Sequence, residues 1–157
     1  MITLHLRAPC DADFITIASW ITDAKACARW AGPDMPFPFA AADLPALCLV
    51  PGAHSFCLID EVGTLLGFAQ CVEKGEGVMR LARVIVAPQQ RGRGLSKALC
   101  EGSMRSTAQQ GAVLAFSLGV YRDNPAAIRC YQQLGFVVVE EKCSLERLEM
   151  RRDGELG

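Results

Sequence analysis

Apolar and polar residues alternate over positions 2–7, which predicts a first β-strand. Behind Asp11 and Asp13, either of which suits a helix cap, Phe14, Ile17, Ala18 and Ile21 recur at helical spacing. The stripe predicts one helix running on toward Arg29 or Trp30. The stretch Gly32-Pro33-Asp34-Met35-Pro36-Phe37-Pro38-Phe39 breaks any regular element, and a short helix over 43–49 closes at Pro51-Gly52. Two apolar runs, 54–59 and 65–72, flank Asp60-Glu61-Val62-Gly63-Thr64 as a hairpin. A polar loop over 73–77 leads to a third run, 78–86, which Pro88 ends, so the three strands read as an antiparallel meander. Leu95, Ala98, Leu99 and Gly102 then share one helix face, with Gly111 as the stop. A strand over 113–118 precedes a helix capped by Asn124, opened by Pro125 and closed by Gly135. Two strands, 136–140 and 143–150, complete a mixed α+β domain over residues 1–150, with about seven strands and about four helices. Residues 151–157 read as a frayed tail.

Composition narrows the function classes. The chain has 157 residues, enough for one domain, and 51% of them are hydrophobic, so a sizeable core can form. Sixteen basic against 17 acidic residues leave a net charge of -1, without the basic footprint of a nucleic-acid binder. The expected partner is a small molecule or a local protein segment. No run approaches the roughly 18 apolar residues of a membrane span, and the first residues do not form a secretory leader. Eight cysteines stand at 10, 27, 48, 57, 71, 100, 130 and 143 without close pairs, several inside apolar runs. They read as structural thiols suited to a reducing cytoplasm. With only His5 and His54 beside them, no metal site is expected.

One segment carries candidate chemistry. A buried strand containing Val84, Ile85 and Val86 runs through Ala87-Pro88-Gln89-Gln90 into Arg91-Gly92-Arg93-Gly94-Leu95-Ser96-Lys97, where a helix starts. The first turn of a helix has unpaired N–H groups and partial positive charge. Gly92 and Gly94 let a large anion approach the backbone, and Arg91, Arg93 and Lys97 add formal charge, which together make a pyrophosphate cradle. A dinucleotide fingerprint would need a third glycine, where Lys97 stands, and an acid on the next strand. A triphosphate loop would need Gly-Lys-Ser or Gly-Lys-Thr. Both are disfavoured.

The segment resembles the GNAT superfamily signature Gln/Arg-x-x-Gly-x-Gly/Ala, met by Arg91-Gly92-Arg93-Gly94-Leu95-Ser96, with Ser96 at the last position in place of Gly or Ala. A second stretch, Asn124-Pro125-Ala126-Ala127-Ile128-Arg129-Cys130-Tyr131-Gln132-Gln133-Leu134-Gly135-Phe136, is similar to the superfamily's Asn-x-x-Ala-x-x-x-Tyr-x-x-x-Gly-Phe pattern. The resemblance implies an α/β/α sandwich whose mostly antiparallel sheet splays between strands four and five. It implies acetyl-CoA as cosubstrate, its pyrophosphate on the turn from Arg91 to Lys97 and its pantetheine arm along Val84, Ile85, Val86 and Asn124. Backbone N–H near Ile85 would polarise the thioester carbonyl, and Tyr131 would protonate the departing thiolate. The implied acceptor is a small-molecule amine or an exposed protein amine, and homodimers are common among such proteins.

Several assignments stay open on sequence. Tyr131 also fits a core-facing helix position, and the helix cap alone explains Asn124. Relatives that acetylate protein N-termini often carry a Glu on strand five, where this chain has Gly119. Glu73 is then either a substitute base acting through water or a solvated loop carboxylate. Trp30, Phe37 and Phe39 either line an acceptor pocket or form a small core that pins their loop. Arg83 either meets an acidic group of the substrate or faces solvent. A coenzyme A-binding sensor without turnover, or transfer of a longer acyl chain, are the alternative functions.

Overall fold

The computed structural model describes residues 3–156, so Ile2 of the expected first strand and Gly157 of the expected tail lie outside the described residues. Seven strands form one sheet: β1 (Leu4–Arg7), β2 (Ala53–Asp60), β3 (Leu65–Glu73), β4 (Val78–Val86), β5 (Ala115–Tyr121), β6 (Val137–Val138) and β7 (Arg147–Asp153). Their spatial order is β1-β2-β3-β4-β5-β7-β6. Every pairing is antiparallel except that of β4 with β5. A parallel neighbour needs a crossover, which the helix α4 (Leu95–Gln110) supplies.

The helix expected from Asp11 to Trp30 is two helices, α1 (Asp11–Trp20) and α2 (Ala24–Ala31). Ile21 turns to extended backbone, and the Asp23 carboxylate accepts from the Ala26 N–H at 2.7 Å to start the second. The apolar stripe read as continuous because both helices bury into one cluster, through Phe14, Ile17 and Ile21 and through Cys27 and Trp30. Neither Asp11 nor Asp13 is the cap of α1. Cys10 occupies that position, and Asp13, buried in the first turn, accepts from the Cys10 N–H at 2.7 Å and from the Arg7 guanidinium at 2.6 and 2.9 Å. The Arg7 hydrogen bonds hold the Asp13 carboxyl down at about 2, against the opposing effect of burial. With α3 (Leu44–Leu47) and α5 (Pro125–Gln133) the described residues hold five α-helices.

Two clusters flank the sheet. One packs Leu95, Leu99, Cys100 and Met104 of α4 on Phe116, Leu118, Val120 and Met150, with Ile128 and Tyr131 of α5 against its edge. The other buries α1 and α2 against Cys57, Phe68 and Ile85. The layers are helix, sheet, helix. At Gly67 on β3 an added Cβ would lie 2.9 Å from the Ile85 oxygen and 3.0 Å from Leu99 Cδ2, so the close approach of α4 to the sheet depends on that glycine.

The C-terminal end differs most from its pattern. The strand expected over 136–140 is only Val137–Val138, followed by a one-turn 3-10 helix, Glu140–Lys142. The last strand begins at Arg147 and runs to Asp153, so Arg151, Arg152 and Asp153 are not a frayed tail. Their charged side chains hid them from the apolar pattern, but backbone pairing with Ser117, Phe116 and Ala115 holds them. Beyond them the Gly154 N–H donates to the Leu114 oxygen at 2.9 Å.

Candidate active site

The site begins where the sheet opens. β4 and β5 pair only at Val78, Met79 and Arg80, opposite Ala115, Phe116 and Ser117. Past Arg80 the strands diverge, and the edge of β4 facing β5 has no ladder partner among the described residues. The register of β4 against β3 shifts between Phe68 and Gln70, and the extra residue is Arg83, whose φ of 50° is left-handed. The Ala87 N–H donates to the Leu66 oxygen at 2.8 Å. Alternation along an antiparallel ladder therefore turns Ile85 toward β3 and aims the N–H and C=O of Val84 and Val86 into the opening. The donors sit on either side of Ile85 rather than on it.

Immediately downstream, a one-turn 3-10 helix (Pro88–Gln90) leads to the turn at Arg91. Gly92 and Gly94 take φ of 81° and 74°, a left-handed backbone that favours glycine. A Cβ added at either would meet nothing within 4 Å, so this turn faces outward. No side chain caps α4, and none of the N–H groups of residues 92–97 donates a hydrogen bond within the described residues. Arg91, Arg93 and Lys97 are exposed around it, with the Arg93 guanidinium against the Gln90 side-chain oxygen. Unpaired N–H donors, positive charge and an open approach are what a diphosphate requires, so these residues fit coenzyme A.

Tyr131 lies half-buried on α5, with its ring edge-on to Phe136 at 6.0 Å. Burial raises its hydroxyl well above the ordinary phenol value, and Cys100 and Cys130 beside it act in the same direction. The hydroxyl therefore stays protonated across the physiological range. Asn124 caps α5, its side-chain oxygen accepting from the Ala127 N–H at 3.3 Å, which leaves its amide N–H₂ free of that bond.

Other predicted residues fall elsewhere. Glu73 is exposed on β3 and pairs with Met79, where β4 is still laddered to β5, six residues and so roughly 20 Å along β4 from Ile85. The structure does not bring it to the site. Trp30 is buried, packs on Phe68 with ring centroids 6.5 Å apart, and donates from Nε1 to the Arg83 oxygen at 3.0 Å, so it braces the bulge from below. Phe37 stacks edge-on with Phe39 at 6.0 Å, pinning their loop. Arg83 is not a solvent-facing residue: its guanidinium donates to the Gln70 side-chain oxygen at 2.7 Å, and its Nε is buried without a partner.

The structure adds residues that the sequence did not single out. Gly119 on β5 pairs with Glu149 on β7, so Glu149 stands across from the position where a strand-five base is expected and is missing. Arg80 holds both Glu149 oxygens, at 2.8 and 3.0 Å. The Arg80 and Arg147 guanidiniums both cover Gly119, and Arg147 also lies 5.4 Å from the centre of the Tyr121 ring. An outer cleft of about 410 Å³ runs between Lys25 and Arg29 of α2, the end of β5 at Tyr121, and Leu145 with Glu146 before β7. None of these contacts has a local sequence signal, because each depends on strand register.

The sequence profile of the Acetyltransferase (GNAT) family matches residues 24–136, which include the opening, the glycine turn and α5. The chain belongs to that family. Spermidine N-acetyltransferases of Vibrio cholerae share the GNAT fold. One solved with CoA and spermine superposes with a TM-score of 0.78 at 20% identity, over 96% of this chain and 95% of that one. A spermidine/spermine N-acetyltransferase from the same organism, solved with manganese ions, gives 0.72 at 19% identity over 96% and 92%. A dodecameric spermidine N-acetyltransferase gives 0.72 at 21% identity over 96% and 94%. Among the described residues of this GNAT protein no group of three or more His, Cys, Asp or Glu side chains could hold a metal, and no helix is long and apolar enough to cross a membrane. All eight cysteines are free, and burial pushes the Cys57 thiol up to about 12 and those of Cys48 and Cys71 to about 11, so these three are packing groups.

Proposed function

We propose that this GNAT protein transfers the acetyl group of acetyl-CoA to a primary amine by direct attack, within one cytoplasmic domain. The observation that carries the reading is the junction of two unpaired backbone surfaces, the open edge of β4 and the uncapped start of α4. Acetyl-CoA, when bound, supplies an acyl group activated as a thioester. The N–H groups of residues 92–97, with Arg91, Arg93 and Lys97, hold its diphosphate, and the side-chain amide of Asn124 and the outward backbone of Val84 and Val86 take the arm. A Val86 or Val84 N–H faces the carbonyl oxygen where negative charge grows. The Tyr131 hydroxyl, still protonated at neutral pH, gives its proton to the sulfur as the C–S bond breaks. It regains one from the proton that the attacking nitrogen sheds to solvent, leaving amide and free thiol. The amine enters from the outer cleft, on the face that carries Gly119.

Glu149 is the carboxylate opposite Gly119 of β5, and both of its oxygens are hydrogen-bonded to Arg80, which leaves neither free for the amine. The acceptor amine is therefore most reactive when it arrives uncharged. The test is release of free thiol from acetyl-CoA across an amine panel, together with the shift in Tm on adding acetyl-CoA. The reading predicts a raised Tm and thiol release with at least one amine. A raised Tm without release from any amine would point instead to a sensor.

A further inference from the structure

Positive charge collects, incompletely neutralised, on one face of the sheet at the β4–β5 opening. The Arg80 and Arg147 guanidiniums meet over Gly119, where a side chain on β5 would otherwise stand. One carboxylate, Glu149, serves that pair, and both of its oxygens are hydrogen-bonded to Arg80. Arg147 makes no side-chain hydrogen bond or ion pair among the described residues; its charge rests on the Tyr121 ring, and its Nε is buried without a partner. Across the opening, Arg83 has the same defect: its Nε is buried and unpaired, and the partner of its guanidinium, Gln70, is neutral. Gln70 shares with Arg80 the face that carries Gly119, because residues two apart on a strand point the same way and Val72 pairs with Arg80.

A buried guanidinium nitrogen without an acceptor is costly, because it has lost water and gained nothing in exchange. Two of them, one on β4 and one reaching from β7 over Gly119 of β5, form a planar-donor site for an anion. A polyamine brings only more positive charge to such a place and is repelled. We propose that the acceptor is a small primary amine that also carries a carboxylate, held by Arg147 with Arg83 while the amine faces the opening. This rests on the acetyl-transfer reading above and specifies its substrate class.

The test has two arms. In the first, thiol release is followed for acceptors of equal chain length that carry an amine at one end and a carboxylate, a methyl or a second ammonium at the other, as in 5-aminopentanoate, pentylamine and 1,5-diaminopentane, over several lengths. The carboxylate member of at least one set is expected to exceed both others in kcat/KM by about 10-fold or more, since charge-assisted bidentate pairs discriminate on this scale. Arg147→Gln is expected to cut the carboxylate-to-methyl ratio by about 10-fold through KM, and Arg147→Lys to recover part of it. Preference for the diammonium members, or a ratio unchanged in Arg147→Gln, overturns the proposal. The second arm needs no turnover. Glutarate, against chloride at equal ionic strength, is expected to raise the Tm of the coenzyme A complex, and not that of Arg147→Gln. No difference between the two proteins overturns the carboxylate site even if acetyl transfer is observed, whereas a glutarate effect without thiol release from any amine leaves the site standing and sinks acetyl transfer instead.

Discussion

Two kinds of start occur among the four helices of eight residues or more; the single turn α3 has no side-chain cap. At α1, α2 and α5 an oxygen from Asp13, Asp23 or Asn124 accepts a backbone N–H at the first turn. At α4 there is Gly94, with no side-chain cap and a left-handed φ of 74°. A first turn left open costs stability, commonly about 1 kcal/mol against a capped one. The three closed starts serve folding. The fourth leaves its donors open at the point where the sheet also has an unpaired edge, and on that coincidence rests the proposal that an anion binds there.

The strongest way to break this contrast is to convert α4 to the closed kind. Gly94→Asp places a carboxylate among the free N–H groups and repels phosphate. It is expected to weaken coenzyme A binding by about 100-fold in calorimetry, while the left-handed backbone costs only about 1 kcal/mol of stability in urea unfolding. Equal affinity in the variant would mean that the diphosphate lies elsewhere. Next in size, Tyr131→Phe should lower kcat by at least about 10-fold, within the range of a lost general acid, with the Kd of coenzyme A changed by less than about 3-fold. The same assignment fixes a pH profile. Because burial raises the hydroxyl above its usual 10, kcat in the wild type should show no descending limb below pH 10, and such a limb would remove Tyr131 from the role.

Smaller effects sharpen the closed side. Asp13 titrates lower folded than unfolded, so its stabilisation is complete above about 4 and is lost as pH falls toward about 2. Asp13→Asn should flatten the acid limb of the stability curve over that window by about 1 kcal/mol, a discounted figure because Arg7 is 37% exposed. An unchanged acid limb would show that the pair contributes nothing. Asn124→Ala should cost about 1 kcal/mol in urea unfolding for the lost cap, and Asn124→Asp much less. If Asn124→Asp also leaves KM for acetyl-CoA untouched, the residue is a cap alone.

The contrast also explains what the sequence could convey. The glycine turn and the Asn124 to Phe136 helix are contiguous segments, and local chemistry marks both: glycines at left-handed positions, a cap, a proline at the first helical residue. The break between α1 and α2 was hidden because Ile21 continues the apolar stripe, although Asp23 offered a cap signal. β7 was misplaced because its edge residues are charged while its pairing is through backbone. The acceptor face was illegible for a deeper reason. Arg80, Gly119, Arg147 and Glu149 come together only through the registers of β4 with β5 and of β5 with β7. A left-handed arginine at position 83 has no local signal at all.

The most direct measurement follows backbone amides in a nitrogen-15 NMR titration with coenzyme A. The account predicts that the N–H resonances of Gly92, Gly94, Leu95, Ser96 and Lys97 move furthest and saturate together, while the first-turn amides of α1 and α2 stay in place. If the Gly92 to Lys97 resonances remain fixed as coenzyme A saturates the protein, the open start of α4 is not the diphosphate site and the account fails.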